Sequence, residues 1–302
     1  MTIKIGNAPV SFGVFEPGFG ETRQLPWPVV LDHIRDAGYG GTELGPHGYL
    51  PTEPATLDAE LKARGLDLGS SFVQLRFPPH DQGELETAVQ EALTVGRLLA
   101  TRGVEEVIIA DAGDERRIAG AGRNPPGWTD EQWERAAAAL YALARRLDSE
   151  LGMRVVIHHH AGTYWETPDE IERLLSVTPP GQVDLLLDTG HYVYGGGDPL
   201  QLMDRHGDRV RYVHYKDVDA ARLERVRGEE QDMHTAWRQG VFVPLGQGCV
   251  DFSALTERLR RADYAGWIIV EQDVVPDDDG NMSPDPLACA RASREYLRGL
   301  GL

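Results

Sequence analysis

Eight short apolar segments alternate with eight longer amphipathic ones along the 302-residue chain, and no other feature constrains the fold as strongly. Runs such as "EEVIIAD" and "VDLLLDTGH" are typical of buried strands, whereas "DEQWERAAAALYALARRLDSELG" has the spacing of an amphipathic helix. Several helical segments end at glycine, and several begin at Asp or Thr, as capped helices do. Strands that alternate with helices in this way form a parallel sheet, so the sequence predicts an α/β fold.

The predicted architecture is a single (β/α)₈ TIM barrel over residues 1–302, because eight units without a break in composition fit one closed barrel. A doubly wound sheet usually has a glycine-rich phosphate loop after the first strand, and the spacing of Gly6 and Gly13 does not match such a loop. Two connections are long, 112–129 and 218–250. We expect both on the C-terminal face of the barrel, where long loops usually carry function.

Polar side chains stand at the ends of nearly all the predicted strands, where the mouth of the barrel is expected. In strand order they are Glu43, Gln74, Asp111, His158 with His160, Asp188 with His191, His214 with Lys216, and Glu271 with Asp273. Alternation puts His158 and His160 of the run "HHH" on one face of their strand and His159 on the other. One such residue is usually a hydrogen-bonded edge or a helix cap. Carboxylates and imidazoles at so many strand ends predict a shared site for Mn²⁺, Co²⁺, Mg²⁺ or Zn²⁺.

Composition excludes several classes of partner. A formal net charge of −18 argues against nucleic-acid binding, which normally uses a basic face. No segment approaches the ~20 apolar residues of a membrane helix, and the N-terminus lacks the apolar region of a signal peptide. Two cysteines, Cys249 and Cys289, do not make the disulfide framework of a secreted protein. We therefore expect a cytoplasmic protein with a small-molecule substrate and no membrane partner, for which a homo-oligomer is compatible with the sequence.

Longer motifs extend over almost the whole chain. The segments "GNAPVSFGVFE", "HHHAGTYWETPDEIERLL", "LLLDTGHYVYGGGDPL", "RVRYVHYKDV" and "GVFVPLGQGCVDFSAL" resemble the inosose dehydratase branch of the xylose isomerase-like superfamily of TIM barrels. That superfamily also contains sugar phosphate isomerases and epimerases. The resemblance implies an enzyme of carbohydrate metabolism, in inositol catabolism by preference.

The resemblance also implies a ligand set for one divalent metal ion. Members of the superfamily typically use a Glu, an Asp, a His and a Glu at the ends of strands five to eight. The last three correspond to Asp188 in "LLDTGH", His214 in "VHYKD" and Glu271 in "IVEQD". Strand five departs from the pattern, since His158 stands where epimerases of the superfamily have Glu. His158 is thus the expected fourth ligand, with Mn²⁺ or Co²⁺ ahead of Mg²⁺ or Zn²⁺.

The implied reaction is dehydration of an inosose or similar polyhydroxy ketone through an enediolate. It requires a base for the proton beside the ketone and an acid for the departing β-hydroxyl. Glu271 and Glu43 are the candidate bases, and His160, His191 and Lys216 are the candidate acids. Lys216 alternatively holds the enolate oxygen as a fixed positive charge. The competing function is a metal-dependent isomerase or epimerase of a sugar or keto-sugar, although His158 removes the carboxylate that a two-base epimerase would use.

Other functions fit the sequence less well. A DNA-repair endonuclease of similar fold would want a basic surface, and a non-catalytic barrel would not need a complete ligand set. The glycine-containing "PLGQGCVDF" leaves a phosphorylated substrate open. For 218–250 we expect a lid in which Trp237 or Phe242 covers the substrate; the alternative is that these aromatic side chains pack on the outer helices.

Overall fold

The computed structural model describes residues 2–16, 24–277 and 279–302. Its strands are β1 (Lys4–Asn7), β2 (Gly41–Thr42), β3 (Asp67–Leu68), β4 (Phe72–Leu75), β5 (Glu106–Asp111), β6 (Arg154–His158), β7 (Val183–Asp188), β8 (Val210–Tyr215), β9 (Asp217–Val218), β10 (Phe242–Val243) and β11 (Trp267–Val270). Nine of them form one parallel sheet in the order β3-β2-β1-β11-β8-β7-β6-β5-β4.

The sheet closes on itself through a broken third strand. β3 and β4 lie at opposite ends of the sheet order but are separated by only a few residues of chain. In that short link the Ser70 carbonyl accepts the Leu44 N–H at 3.1 Å, and the Ser71 carbonyl accepts the Ile108 N–H at 3.2 Å. The link therefore joins the β2 side of the sheet to β5. The predicted TIM barrel is confirmed.

Helices separate the strands and surround the barrel. They are α1 (Trp27–Asp36), α2 (Pro54–Arg64), α3 (Gln82–Ala100), α4 (Glu115–Gly120), α5 (Asp130–Leu151), α6 (Pro168–Val177), α7 (Thr189–Tyr194), α8 (Pro199–His206), α9 (Ala220–Gly228), α10 (Met233–Arg238), α11 (Phe252–Arg261) and α12 (Pro286–Gly299). Capping boxes at Thr129 and Thr167 begin α5 and α6. None of the helices described is both long enough and apolar enough to span a membrane.

The interior of the barrel is apolar below and polar at the mouth. Its apolar layer is formed by Ala8, Ile108, Val156, Leu186, Tyr212 and Ile269. Two residues further along four of these chain segments come His158, Asp188, His214 and Glu271, which therefore point to the same side of the sheet. Gly6 and Gly69 make room for this layer, since a Cβ at either position would overlap Ile269 or Tyr212.

Strand ends differ from the prediction in one important place. The sequence predicts strand as far as His191, but β7 ends at Asp188 and α7 follows at once. The cause is a helix cap, because Asp188 Oδ1 accepts the His191 N–H at 2.8 Å. The first and last barrel strands also end early, at Asn7 and Val270, so Glu271 follows its strand rather than ending it.

The two long connections contain secondary structure of their own. α4 lies in 112–129, and α9, α10 and β10 lie in 218–250, where β10 pairs antiparallel with β9. Ile118 from the first connection and Met233 and Trp237 from the second line the cavity described below. The assignment of the whole chain to one domain stays a prediction.

A buried carboxylate fixes the segment that follows β10. Asp217 Oδ1 accepts the N–H groups of Val218 and Val250 at 2.9 and 3.1 Å, and its Oδ2 accepts those of Gly246 and Gly248 at 2.9 and 2.8 Å. Three of these amides belong to "PLGQGCVDF", the segment considered above as a phosphate loop. Because they already bind the protein's own carboxylate, this part of the loop is filled without a phosphate.

Asp217→Asn should lower the free energy of unfolding by roughly 3 kcal/mol, because its amide NH₂ would face two backbone N–H groups and leave them unsatisfied. Denaturant unfolding followed by circular dichroism measures the loss. The matched control is Asp251→Asn, since Asp251 caps α11 at an exposed position and Asn caps almost equally well. Asp217→Asn unfolding at the wild-type midpoint would show that the clamp does not stabilise the fold.

Candidate metal centre and substrate cavity

The structure brings the four predicted metal ligands together at the mouth of the barrel. His158 ends β6, Asp188 ends β7, His214 lies in β8 and Glu271 follows β11. All four are buried, and one potential ligand atom from each lies within 4.8 Å of the others. Their strands are neighbours in the sheet, so the fold itself places the four donors side by side.

The contacts inside this cluster lie at or beyond the upper limit of normal hydrogen-bond distances. Asp188 Oδ2 lies 3.5 Å from His158 Nε2 and 3.6 Å from His214 Nδ1, and Glu271 Oε2 lies 3.2 Å from His214 Nδ1. Asp188 Oδ2 and His214 Nδ1 make no hydrogen bond within the described part of the chain. Buried polar atoms without partners are costly. Two imidazoles and two carboxylates directed at one point fit a divalent transition-metal ion.

The charges within the cluster also favour a bound cation. Burial alone would lower the pKa of His214, but Glu271 and Glu43 raise it well above its usual value. Burial alone would raise the pKa of Glu271, but His214 and Lys216 lower it to about 2. The carboxylates therefore stay ionised and favour positive charge at this point, which a bound cation would supply.

Lys216 lies beside the cluster and is held by carboxylates. Its Nζ is 2.9 and 3.0 Å from the two oxygens of Asp273 and 3.1 Å from Glu271 Oε2. Burial alone would lower the pKa of Lys216, but the surrounding carboxylates, Asp273 first, raise it above its usual value. Lys216 is therefore a permanent positive charge on the floor of the cavity. Lys216 Nζ also lies 3.6 Å from Asp188 Oδ2, but its shortest carboxylate contact is with Asp273.

The three consecutive histidines have three different environments. His158 belongs to the cluster, and His159 points to the opposite side, where its Nε2 accepts the Asp188 N–H at 3.2 Å and its ring packs on Tyr192. His160 lines the cavity, with Nδ1 2.7 Å from the Ala161 carbonyl oxygen. Because a carbonyl only accepts, Nδ1 carries the hydrogen and the lone pair is on Nε2. Burial is the main cause that lowers the pKa of His160 to about 3, so the ring is neutral at neutral pH.

His191, a predicted acid, does not reach the wall of the cavity. It is fully buried in α7, with its Nε2 2.9 Å from Lys216 Nζ and its ring centroid 3.7 Å from that of His160. Ala161 N–H lies 3.4 Å from the other ring nitrogen. The structure therefore places His191 behind the two residues that face the cavity, where it supports both.

Two further strand-end residues also have defined positions. Asp111 accepts the N–H groups of Phe77, Gly113 and Tyr164 at 3.2, 3.1 and 3.0 Å, so it ties together three connections at the mouth of the barrel. Gln74 is exposed and lines the cavity. Of these two, only Gln74 is in a position to meet a ligand.

The cavity above the cluster has a charged floor and an apolar wall. Its volume is about 290 Å³, and the wall includes Val10, Val14, Phe15, Phe72, Met233 and Trp237. The ring of Trp237 lies 5.6 Å from that of His160, at 76°, and is only 5% exposed. Phe242 lies deeper, with its ring 5.0 Å from Lys216 Nζ. Both aromatic side chains therefore pack over the barrel mouth rather than on the outer helices; closure on substrate binding stays a prediction.

Comparisons with known proteins agree with this geometry. A family model described as xylose isomerase-like TIM barrel matches residues 31–300. Inosose dehydratase of Geobacillus kaustophilus is 37% identical over 97% of this chain and 93% of that protein, and the rhizopine catabolism protein MocC of Rhizobium meliloti is 36% identical over 98% and 88%. The solved structure of the probable 3-DHS dehydratase AsbF of Bacillus anthracis is 13% identical and covers 98% of this chain and 99% of that one with a TM-score of 0.69.

Proposed function

Because the chain belongs to the xylose isomerase-like TIM barrel family and has inosose dehydratases among its full-length relatives, we propose that it is a divalent-metal-dependent dehydratase of an inosose or a similar polyhydroxy ketone. The observation that carries the proposal is the buried cluster of His158, Asp188, His214 and Glu271, which opens into a cavity that Lys216 and His160 also line. The cavity has room for a small cyclic ketone.

His158, Asp188, His214 and Glu271 would hold the cation. When bound, a divalent ion supplies Lewis-acid polarisation of a ketone oxygen. Two imidazole donors favour a transition metal over Mg²⁺, so we propose Mn²⁺ or Co²⁺ as the working ion, with Zn²⁺ as the next candidate. The contacts within the cluster support a bound cation, since Asp188 Oδ2 and His214 Nδ1 have no hydrogen-bond partner among the residues that the structure describes.

His160 is the proposed base. Its Nε2 bears the lone pair on a side chain that faces the substrate cavity, whereas Glu271 Oε2 is already engaged by Lys216 and His214. Nε2 would take the proton from the carbon beside the ketone. The negative charge that then develops on the substrate favours the imidazolium form of His160. The same imidazolium can return that proton to the β-hydroxyl as its C–O bond breaks, so the leaving group departs as water.

Lys216 is the proposed electrostatic partner of this step. Asp273 and Glu271 hold its ammonium group in place, so it enters the reaction already oriented. A fixed positive charge beside the enediolate stabilises the charge that develops in the transition state. Because its carboxylate neighbours hold its proton strongly, we assign Lys216 the role of fixed charge rather than proton donor.

The apolar wall completes the site. Trp237, Met233 and Phe15 cover the charged floor from the loops that enclose it. Exclusion of bulk water strengthens the electrostatic interactions below this wall and protects the enediolate. We further propose a cytoplasmic enzyme that acts on a small molecule alone, consistent with the net charge of −18.

Incubation of the Mn²⁺- or Co²⁺-loaded protein with scyllo-inosose should produce a dione, detected by its ultraviolet absorbance. A panel of ketoses followed for interconversion is the parallel assay, because an epimerase would act there and form no dione. Dione formation without ketose interconversion is the expected result. Interconversion of ketoses with no reaction of scyllo-inosose would instead favour the epimerase function.

A further inference from the structure

Glu43 lines the cavity and also contacts His214, a member of the metal cluster. Its Oε1 lies 3.0 Å from His214 Nε2, and both side chains are almost completely buried. Glu43 comes from the segment just after β2, while His214 belongs to β8, so the contact crosses the mouth of the barrel. The other nitrogen of His214, Nδ1, faces Asp188 and Glu271.

A carboxylate can only accept a hydrogen bond, so His214 Nε2 carries a hydrogen. When a cation takes the place of the proton on Nδ1, the ring is neutral and its lone pair is on Nδ1, the atom directed at the cluster. We propose that Glu43 is a positioning residue that holds His214 in the tautomer able to bind the cation through Nδ1, and that it does not act as a base on the substrate. The proposal rests on the metal site of the proposed function.

The surroundings of Glu43 support this role. Tyr212, in the apolar layer of the barrel, has its ring 5.7 Å from that of His214. The pKa of its phenol is raised well above its usual value, first by burial and then by the Glu43 charge. Glu43 itself is only 3% exposed. Partners of this kind orient metal-binding imidazoles and raise their basicity, and their loss typically weakens metal affinity by about 10-fold to 100-fold.

The test separates the two roles of Glu43. Glu43→Gln keeps an oxygen that can accept from Nε2 but removes the charge, and Glu43→Ala removes both. Competition with a fluorescent chelator should show Mn²⁺ and Co²⁺ affinity falling by about 10-fold to 100-fold for the alanine variant and by less for the glutamine variant. The visible spectrum of bound Co²⁺ should change as well. At saturating metal, kcat of Glu43→Gln should stay within about fivefold of wild type.

Glu16→Gln, measured at about pH 8, is the matched control for charge, because burial raises the pKa of Glu16 to about 7 and the carboxylate is mostly ionised only above that pH. Glu16 lines the same cavity, and His214 is held by Glu43 rather than by this residue. Its replacement removes one carboxylate without removing the partner of His214, so the metal dissociation constant should stay within about twofold.

Two results would overturn the proposal. The first is a wild-type metal affinity in Glu43→Gln with kcat reduced by about 10²-fold to 10⁴-fold, as expected of a lost base. The second is no change in either quantity for Glu43→Ala. Absence of metal binding in the unmodified chain would instead contradict the metal site itself, so the two failures are distinguishable. Thermal unfolding of each variant shows whether it is folded.

Discussion

Asp188→Asn should abolish divalent-metal binding in a protein that remains folded. The asparagine keeps an Oδ1 that can accept the His191 N–H and cap α7, while the charged Oδ2 at the centre of the cluster is lost. Loss of a mere supporting residue costs about 10-fold to 100-fold in affinity, so loss of this ligand should cost more than about 100-fold. Elemental analysis after dialysis and chelator competition measure the binding, and activity should disappear with it.

The matched control is Asp198→Asn. Asp198 caps α8 in the same way, with Oδ1 accepting the Leu200 N–H, but its side chain is exposed and lies in the helical layer. This variant should bind the metal as wild type does. A full equivalent of tightly bound metal in Asp188→Asn would remove Asp188 from the site.

The second large effect is expected at the histidine run. His160→Ala should keep the metal and lose turnover by on the order of 10²-fold to 10⁴-fold, the usual loss when a proton-transfer group is removed. Added imidazole should restore part of the activity, because His160 lines an open cavity. His158→Ala, by contrast, should weaken metal binding. Steady-state kinetics at saturating metal, together with a metal titration of each variant, separates the two failures.

His159→Gln is the control for these variants. Its Oε1 can accept the Asp188 N–H that His159 Nε2 accepts in the wild type, so both metal binding and turnover should be largely kept. His159→Ala should lower the stability by about 1–3 kcal/mol, because that buried N–H would lose its partner. Loss of activity in His159→Gln with an active His160→Ala would reverse the assignment of the two faces.

The fold and the members of the metal cluster could be predicted from the sequence because both follow from regular geometry. A strand alternates with a period of two and a parallel barrel gathers all its strand ends, so His158, Asp188 and His214 could be assigned to one side of one face. The superfamily resemblance then selected Asp188, His214 and Glu271 as ligands from among the strand-end residues, with His158 as the expected fourth. The barrel and the family are both confirmed.

The remaining features depend on contacts between distant segments. The sequence "TGHYVY" looks like the continuation of a strand, and only the Asp188 cap makes it helical. Neither the pairing of Glu43 with His214 nor the tautomer of His160 has a local signature. Met233 reaches the cavity from a loop helix, whose position no periodicity predicts.

The break in the third strand has a consequence for how this enzyme can diversify. β6, β7, β8 and β11 are each paired on both sides, so the strands that carry the metal-site residues are held firmly. β4 pairs only with β5, yet it supplies Phe72 and Gln74 to the cavity wall. The barrel thus carries its metal-site residues on or next to strands paired on both sides, and part of its substrate-facing wall on a strand paired on one side. We expect substitutions at the exposed Gln74 to change substrate preference with less effect on the reactive centre than substitutions at Phe72, whose ring lies 5.4 Å from that of His158. Gln74 is thus where this scaffold has evolutionary plasticity.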